Sequence, residues 1–279
     1  MRRLPDPMSR LVVHDDAAHR LGGAVPSPAA AFLLAVIALP ALFWLVMLKR
    51  TTVYTAPEEW LMSTVVPAVH GFVETNLSLL ESLIIGISAL GSGWFVALAF
   101  AGLGLLALAR GRRDLAFLLA VGTLCFPMEW ALKYFVSAEA ISLPDLVGAI
   151  FNVNDRGLDD IADFPAGHAL RATVLYGLAA FCVARLAHDV RQGQIAYAIA
   201  IMLIGAISAT RIYLQAHYPM DVLGGWMAGG ALLAIIVAIH VLRVDERARV
   251  REAAEAAARM ARGERRVAVP RRVPPASEG

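Results

Sequence analysis

The chain has 279 residues, of which 58% are hydrophobic and 17% charged, with a formal net charge of +2. With a mean hydropathy of +0.63, it reads as a membrane protein and not as a soluble domain around one core. So small a net charge also excludes the electrostatic footprint of a nucleic-acid binder. Lysine occurs only at Lys49 and Lys133, the other basic residues being arginines, a bias expected of a GC-rich bacterial genome. Cys125 and Cys182 lie inside apolar runs and read as small buried hydrophobes.

Residues 1–24 are polar, carry Arg2, Arg3, Arg10 and Arg20, and lack the apolar core and cleavage site of a signal peptide. They are expected to form a tail. The apolar run from Pro28 to Leu48, closed by Lys49 and Arg50, is long enough for a span, which takes roughly 20 residues. Pro57, Glu58, Glu59 and Trp60 read as a helix start, with Val65, Val66, Val69, Phe72 and Val73 following at helical spacing. Pro57–Asn76 is therefore predicted to be an amphipathic helix in the membrane interface. Leu77–Leu90 either extends that helix or re-enters the membrane.

Five further spans are expected: Trp94–Leu108, Leu115–Val136, His168–Ala187, Ile195–Tyr213 and Met220–Leu242. From Arg243 an alanine-rich charged helix runs to about Arg262, followed by a Pro- and Arg-containing end expected to be disordered. The predicted class is all-α: a polytopic membrane protein of six transmembrane helices with one interfacial helix. Its expected parts are a tail (1–24), a membrane domain (25–242) and a charged tail (243–279). Arginine-bearing breaks alternate with segments richer in acid, Glu58–Leu90 and Glu139–Asp163. The positive-inside rule then makes both termini cytoplasmic, with Lys49 and Arg50 the one discordant pair.

In that topology the unusual residues gather at the outer face. Lys133 ends the third span, His168 begins the fourth, Arg211 ends the fifth, and His217 and Asp221 begin the sixth. Ionisable groups within spans are costly and usually functional. Pro219 suits the first turn of a helix, placing Asp221 where the dipole favours a carboxylate and where His217 is within reach. Gly167 opens a helix whose free amides make an anion cradle, and lets a backbone approach a ligand closely. An imidazole held by a carboxylate, with a guanidinium beside it, is equipment for handling phosphate.

These residues resemble the motifs of the phosphatidic-acid-phosphatase type 2 superfamily: Lys-x6-Arg-Pro, Pro-Ser-Gly-His and Ser-Arg-x5-His-x3-Asp. The third stands here as Thr210-Arg211-x5-His217-x3-Asp221 and the second as Pro165-Ala166-Gly167-His168, without its serine. The first keeps Lys133, with Ala140 and Ile141 where arginine and proline would stand. The resemblance covers about 115–234. It implies a membrane phosphatase, a phosphoric monoester or pyrophosphate hydrolase, acting on a lipid phosphate or isoprenyl pyrophosphate at the outer face of a bacterial inner membrane, without cofactor or metal. His217 would be the nucleophile, oriented by Asp221, and would form a phosphohistidine. His168 would protonate the leaving group, and Arg211, Lys133 and the Gly167 amide would hold the phosphoryl oxygens. Arg156 and Arg171 are candidates for the missing guanidinium.

Each residue alone has a plainer reading. His217 with Asp221 caps a helix, Arg211 snorkels to headgroups, and Lys133 pairs with Glu129 one turn earlier. The 152–163 loop has a calcium-loop spacing, but Arg156 occupies a ligand position, so it reads as a solvated acidic loop. Two alternatives stay open: a head-group phosphotransferase on the same scaffold, and a non-catalytic descendant that binds anionic lipid or a membrane partner.

Overall fold

The computed structural model describes residues 28–51, 55–136, 164–187 and 189–261. The 1–24 tail, the acidic 139–163 segment with Ala140, Ile141 and Arg156, and the end after residue 261 lie outside the described residues. The described elements are helices: α1 (Pro28–Thr51), α2 (Ala56–Asn76), α3 (Ser78–Ala89), α4 (Gly93–Ala109), α5 (Arg113–Gly122), α6 (Cys125–Val136), α7 (Gly167–Leu186), α8 (Val190–Tyr213) and α9 (Pro219–Ala261). The chain divides into two units, 1–239 and 240–279, with the boundary inside α9. In the second unit 251–260 is exposed, and Glu255 and Arg259 pair at 3.9 Å, as a charged alanine-rich helix requires.

By length and composition four helices can cross a membrane: Arg113–Val136 (α5 with α6), α7, α8 and the helix from Pro219. The pair α2 and α3, bent by 119°, makes five if it is one broken span and not a re-entrant loop. The six read from the sequence are not reached on this measure. The reason is partly length, since the 17 residues of α4 reach about 26 Å at 1.5 Å per residue, against a hydrocarbon core of about 30 Å.

Helix α2 is irregular along its length, and the chain bends where it ends, at Leu77 (φ −136°, ψ 54°). Thr55 and Glu58 start α2 with a reciprocal capping box. Pro67 cannot donate to the carbonyl four residues back and its ring presses on it, and the helix widens into a π stretch at Leu61–Val65 just ahead. At its end Thr75 Oγ1 and Asn76 Nδ2 donate to the Gly71 and Phe72 carbonyls, at 2.7 and 2.8 Å. These side-chain bonds go back to carbonyls four residues earlier and compete there with the helical amides, which helps a helix to bend, and α3 starts afresh after Leu77.

Helix α7 is the core. Every residue from Gly167 to Leu175 is buried, and α7 packs on α4, α5, α6 and α8. Helix α9 reaches it through glycines at a spacing of four. A Cβ at Gly225 would lie 2.6 Å from the Ala166 carbonyl oxygen, and one at Gly229 2.7 Å from that of Leu170. Only hydrogen fits there, the small-residue contact by which membrane helices approach backbone to backbone.

Candidate functional site

Helix α7 starts at Gly167 with the extended residue Ala166 as its cap, and the Ala166 amide donates to the Asp221 carbonyl at 2.9 Å. That bond fixes the start of α7 against the first turn of α9, so His168 and Asp221 share one end of the bundle. Helix α8 arrives at the same end. It closes with the Gln215 amide on the Ile212 carbonyl and the Ala216 amide on the Arg211 carbonyl, both at 3.0 Å, and with Gln215 left-handed at φ 56°. This is a Schellman turn with glutamine where glycine is usual, and it turns the chain so that His217 and Pro219 begin a new direction.

At the start of α9 the Tyr218 amide donates to Asp221 Oδ2 at 2.9 Å, and the Met220 amide donates to Glu58 Oε1 at 2.9 Å. Asp221 is fully buried and His217 nearly so. The helix-capping part of the plain reading therefore holds: the Asp221 carboxylate completes the first turn.

His168 and Arg171 lie on one face of α7. The Arg171 guanidinium donates from Nε to the Gly91 carbonyl at 3.2 Å, pairs through Nη1 with Glu129 Oε2 at 2.5 Å, and sets Nη2 3.3 Å from His168 Nδ1. Glu129 thus pairs with Arg171, which no sequence spacing announces. The other Glu129 oxygen lies against Gly167, where any Cβ would overlap it, so a carboxylate rests at the α7 amino terminus, where the dipole favours it.

The turn between α3 and α4 covers this end. A Cβ at Gly91 would meet Ile207 Cγ2 at 2.6 Å and His168 Cδ2 at 3.1 Å. Ser88, whose carbonyl binds the Gly91 amide, accepts from Arg211 Nη1 at 3.0 Å. His168, Gly167, Arg211, His217 and Asp221 are therefore brought together at the end where α7 and α9 begin and α8 ends. Lys133 is half-buried on α6, one turn beyond Glu129. Among the described residues no group of three or more His, Cys, Asp or Glu is arranged to hold a metal ion.

Residues outside the three motifs also reach it. Glu129 and Arg171 had a signal, being ionisable residues inside apolar runs. Glu58 appeared only as a helix start. Ser88 and Gly91 had none, because their place depends on the bend at Leu77.

The PAP2 superfamily model matches residues 145–245, the stretch that carries the second and third motifs. That stretch belongs to the PAP2 superfamily. Over 74 residues the chain is 32% identical to phosphatidylglycerophosphatase B of Bacillus subtilis (strain 168). The match takes in 26% of this chain and 36% of the relative, so the chain spans about a third of that protein's length. Its fold is similar to the crystal structure of a transmembrane PAP2-type phosphatidylglycerolphosphate phosphatase from Bacillus subtilis, with a TM-score of 0.50. The likeness covers 70% of this chain and 92% of that one at 22% identity, and at that identity it speaks for the fold. With its apolar helices and this likeness to a transmembrane fold, the chain is a multi-pass membrane protein.

Proposed function

We propose that this chain is a phosphatase of a bacterial inner membrane, hydrolysing a lipid phosphate or isoprenyl pyrophosphate at the outer face by way of a phosphohistidine. What carries the reading is the meeting of buried His168, Arg211, His217 and Asp221 at one end of the bundle. A ring nitrogen of His217 attacks phosphorus and the bond to the leaving oxygen breaks, while Asp221 orients the imidazole and stabilises its charge. Arg211, Lys133 and the Gly167 amide meet the charge on the phosphoryl oxygens. His168 serves the leaving group, and water then releases phosphate from His217. The name of the curated relative makes phosphatidylglycerol phosphate one of the first substrates to try.

The test is phosphate release by the purified protein from a panel of lipid phosphates and pyrophosphates, beside His217→Ala. Release by the wild type and none by the variant is the expected result. A wild type that releases phosphate from no member of the panel overturns the reading and leaves a non-catalytic lipid-binding role.

A further inference from the structure

Arg171 makes three buried contacts at this end of the bundle, and its engagement decides what it can do. Its Nη1 holds Glu129 at 2.5 Å with both side chains almost wholly buried, so its charge is already matched. That argues against its standing in for the guanidinium missing beside Lys133. Its Nη2, however, lies 3.3 Å from His168 Nδ1, and a guanidinium nitrogen only donates. Nδ1 must then accept. An imidazole whose Nδ1 accepts is neutral and carries its proton on Nε2.

The other charged groups at this end are consistent with a neutral ring. Glu129, from α6, is spent on Arg171. Arg211, from α8, and the amino terminus of α7 add positive character. The carboxylate of Asp221, from α9, is bonded to the Tyr218 amide.

We propose that Arg171 is a positioning residue that holds His168 as a neutral Nε2–H donor, so that the site favours substrates whose leaving group departs as a stable anion. This rests on the phosphatase reading above and narrows it. A ring nitrogen of His217 bonds to phosphorus, and the leaving oxygen departs with the bond's electron pair. His168 gives that oxygen a hydrogen bond and keeps its proton. Water then attacks the phosphohistidine, its proton passes to solvent, and His217 regains its lone pair. A neutral imidazole is a poor proton donor, so an alkoxide would leave slowly, whereas a phosphate anion needs no proton. The favoured class is therefore a lipid pyrophosphate over the monoester of the same lipid.

Farnesyl pyrophosphate and farnesyl phosphate, each in detergent micelles with the purified full chain, test the selectivity. The expected kcat/KM ratio is about 10²-fold or more in favour of the pyrophosphate, the size of a withheld proton transfer. In the double variant Glu129→Leu with Arg171→Met, which removes both buried charges together, the ratio collapses toward one. A merely structural role would lower both rates and leave the ratio alone. Nitrogen-15 NMR of histidine-labelled protein, with His168 assigned from the His168→Gln spectrum, reads the tautomer independently of turnover. A neutral ring protonated on Nε2 is expected in the wild type. An imidazolium, a ring protonated on Nδ1, or equal turnover of the two substrates overturns the proposal. Should neither substrate turn over while the ring is Nε2-protonated, the phosphatase reading and the leaving-group preference fall and the positioning of His168 by Arg171 stands.

Discussion

The Met220 amide, in the first turn of α9, donates to Oε1 of Glu58 at the start of α2, across 2.9 Å. The second oxygen of Glu58 accepts from the Thr55 amide and hydroxyl at 3.2 and 3.0 Å. One carboxylate thus closes two helix starts that are far apart in sequence, and both favour a negative charge. It ties the bent pair α2–α3 to the segment that carries Asp221.

Glu58→Ala is expected to leave those donors without their acceptor and to destabilise the protein by about 1–3 kcal/mol. Glu58→Gln keeps one acceptor oxygen and is expected to cost less. Thermal unfolding in detergent reads both. Equal and negligible shifts would mean that water replaces the carboxylate at no cost.

Gly229→Ala places a methyl where the Leu170 carbonyl oxygen and the Thr173 Cβ already stand, at 2.7 and 2.8 Å. Overpacking of this kind costs about 1–3 kcal/mol, and here it pushes α9 off α7 and loosens the bond between Ala166 and Asp221. Gly230→Ala, where a Cβ meets nothing within 4 Å, is the control and is expected to be tolerated. Similar losses of thermal stability in the two variants would refute close packing at Gly229.

Much of this end of the molecule was legible in the sequence because its signals are local. Pro219 at a helix start and Asp221 in the following turn mark the start of α9, and Gly167 marks that of α7. Arg110-Gly111-Arg112 marks the end of α4, with Gly111 at φ 70°. The pairing of Glu129 with Arg171 was not legible, since it joins two helices through a tertiary contact and Lys133 offered a nearer partner. Nor was the role of Ser88 and Gly91. Their approach to Arg211 and His168 follows from a sharp bend at Leu77, and the side-chain bonds of Thr75 and Asn76 beside it carry no sign of its direction. The end of α8 was hidden for another reason: Gln215 occupies a left-handed position that usually announces itself as glycine.

Ala166 stands where the resembling motif has serine, and it caps α7 without a side-chain bond. A serine hydroxyl at such a position accepts from an amide of the first turn and is worth about 0.5–2 kcal/mol. Ala166→Ser is therefore expected to raise thermal stability and, if the site binds phosphate, to raise kcat/KM on a lipid phosphate. Ala166 is fully buried beside Ala169 and Val222, so a loss of stability instead would mean that the packing has no room for the hydroxyl.

The arginine distribution predicts that both termini are cytoplasmic and that the segment before α7 is outside. In a background lacking Cys125 and Cys182, a cysteine replacing Asp155 should react with an impermeant thiol reagent in intact cells. Cysteines replacing Arg112 and Ser277 should react only after lysis. The reverse pattern would place the candidate site on the cytoplasmic side.

The decisive pair is His217 and Asp221. His217→Ala should abolish turnover and prevent trapping of any phosphorylated protein. Asp221 needs a subtler variant, because its Oδ2 also accepts from the Tyr218 amide at 2.9 Å. Asp221→Ala removes the cap and the charge together, so a lost activity would be ambiguous. Asp221→Asn keeps an oxygen that can accept from Tyr218, while losing the charge that would orient and stabilise a phosphorylated imidazole. It should unfold near the wild-type temperature yet turn over about 10²–10⁴-fold more slowly, the range typical of a positioned catalytic group. If Asp221→Asn is as active as the wild type, the carboxylate is a helix cap and no more, and His217 loses its claim to be the nucleophile.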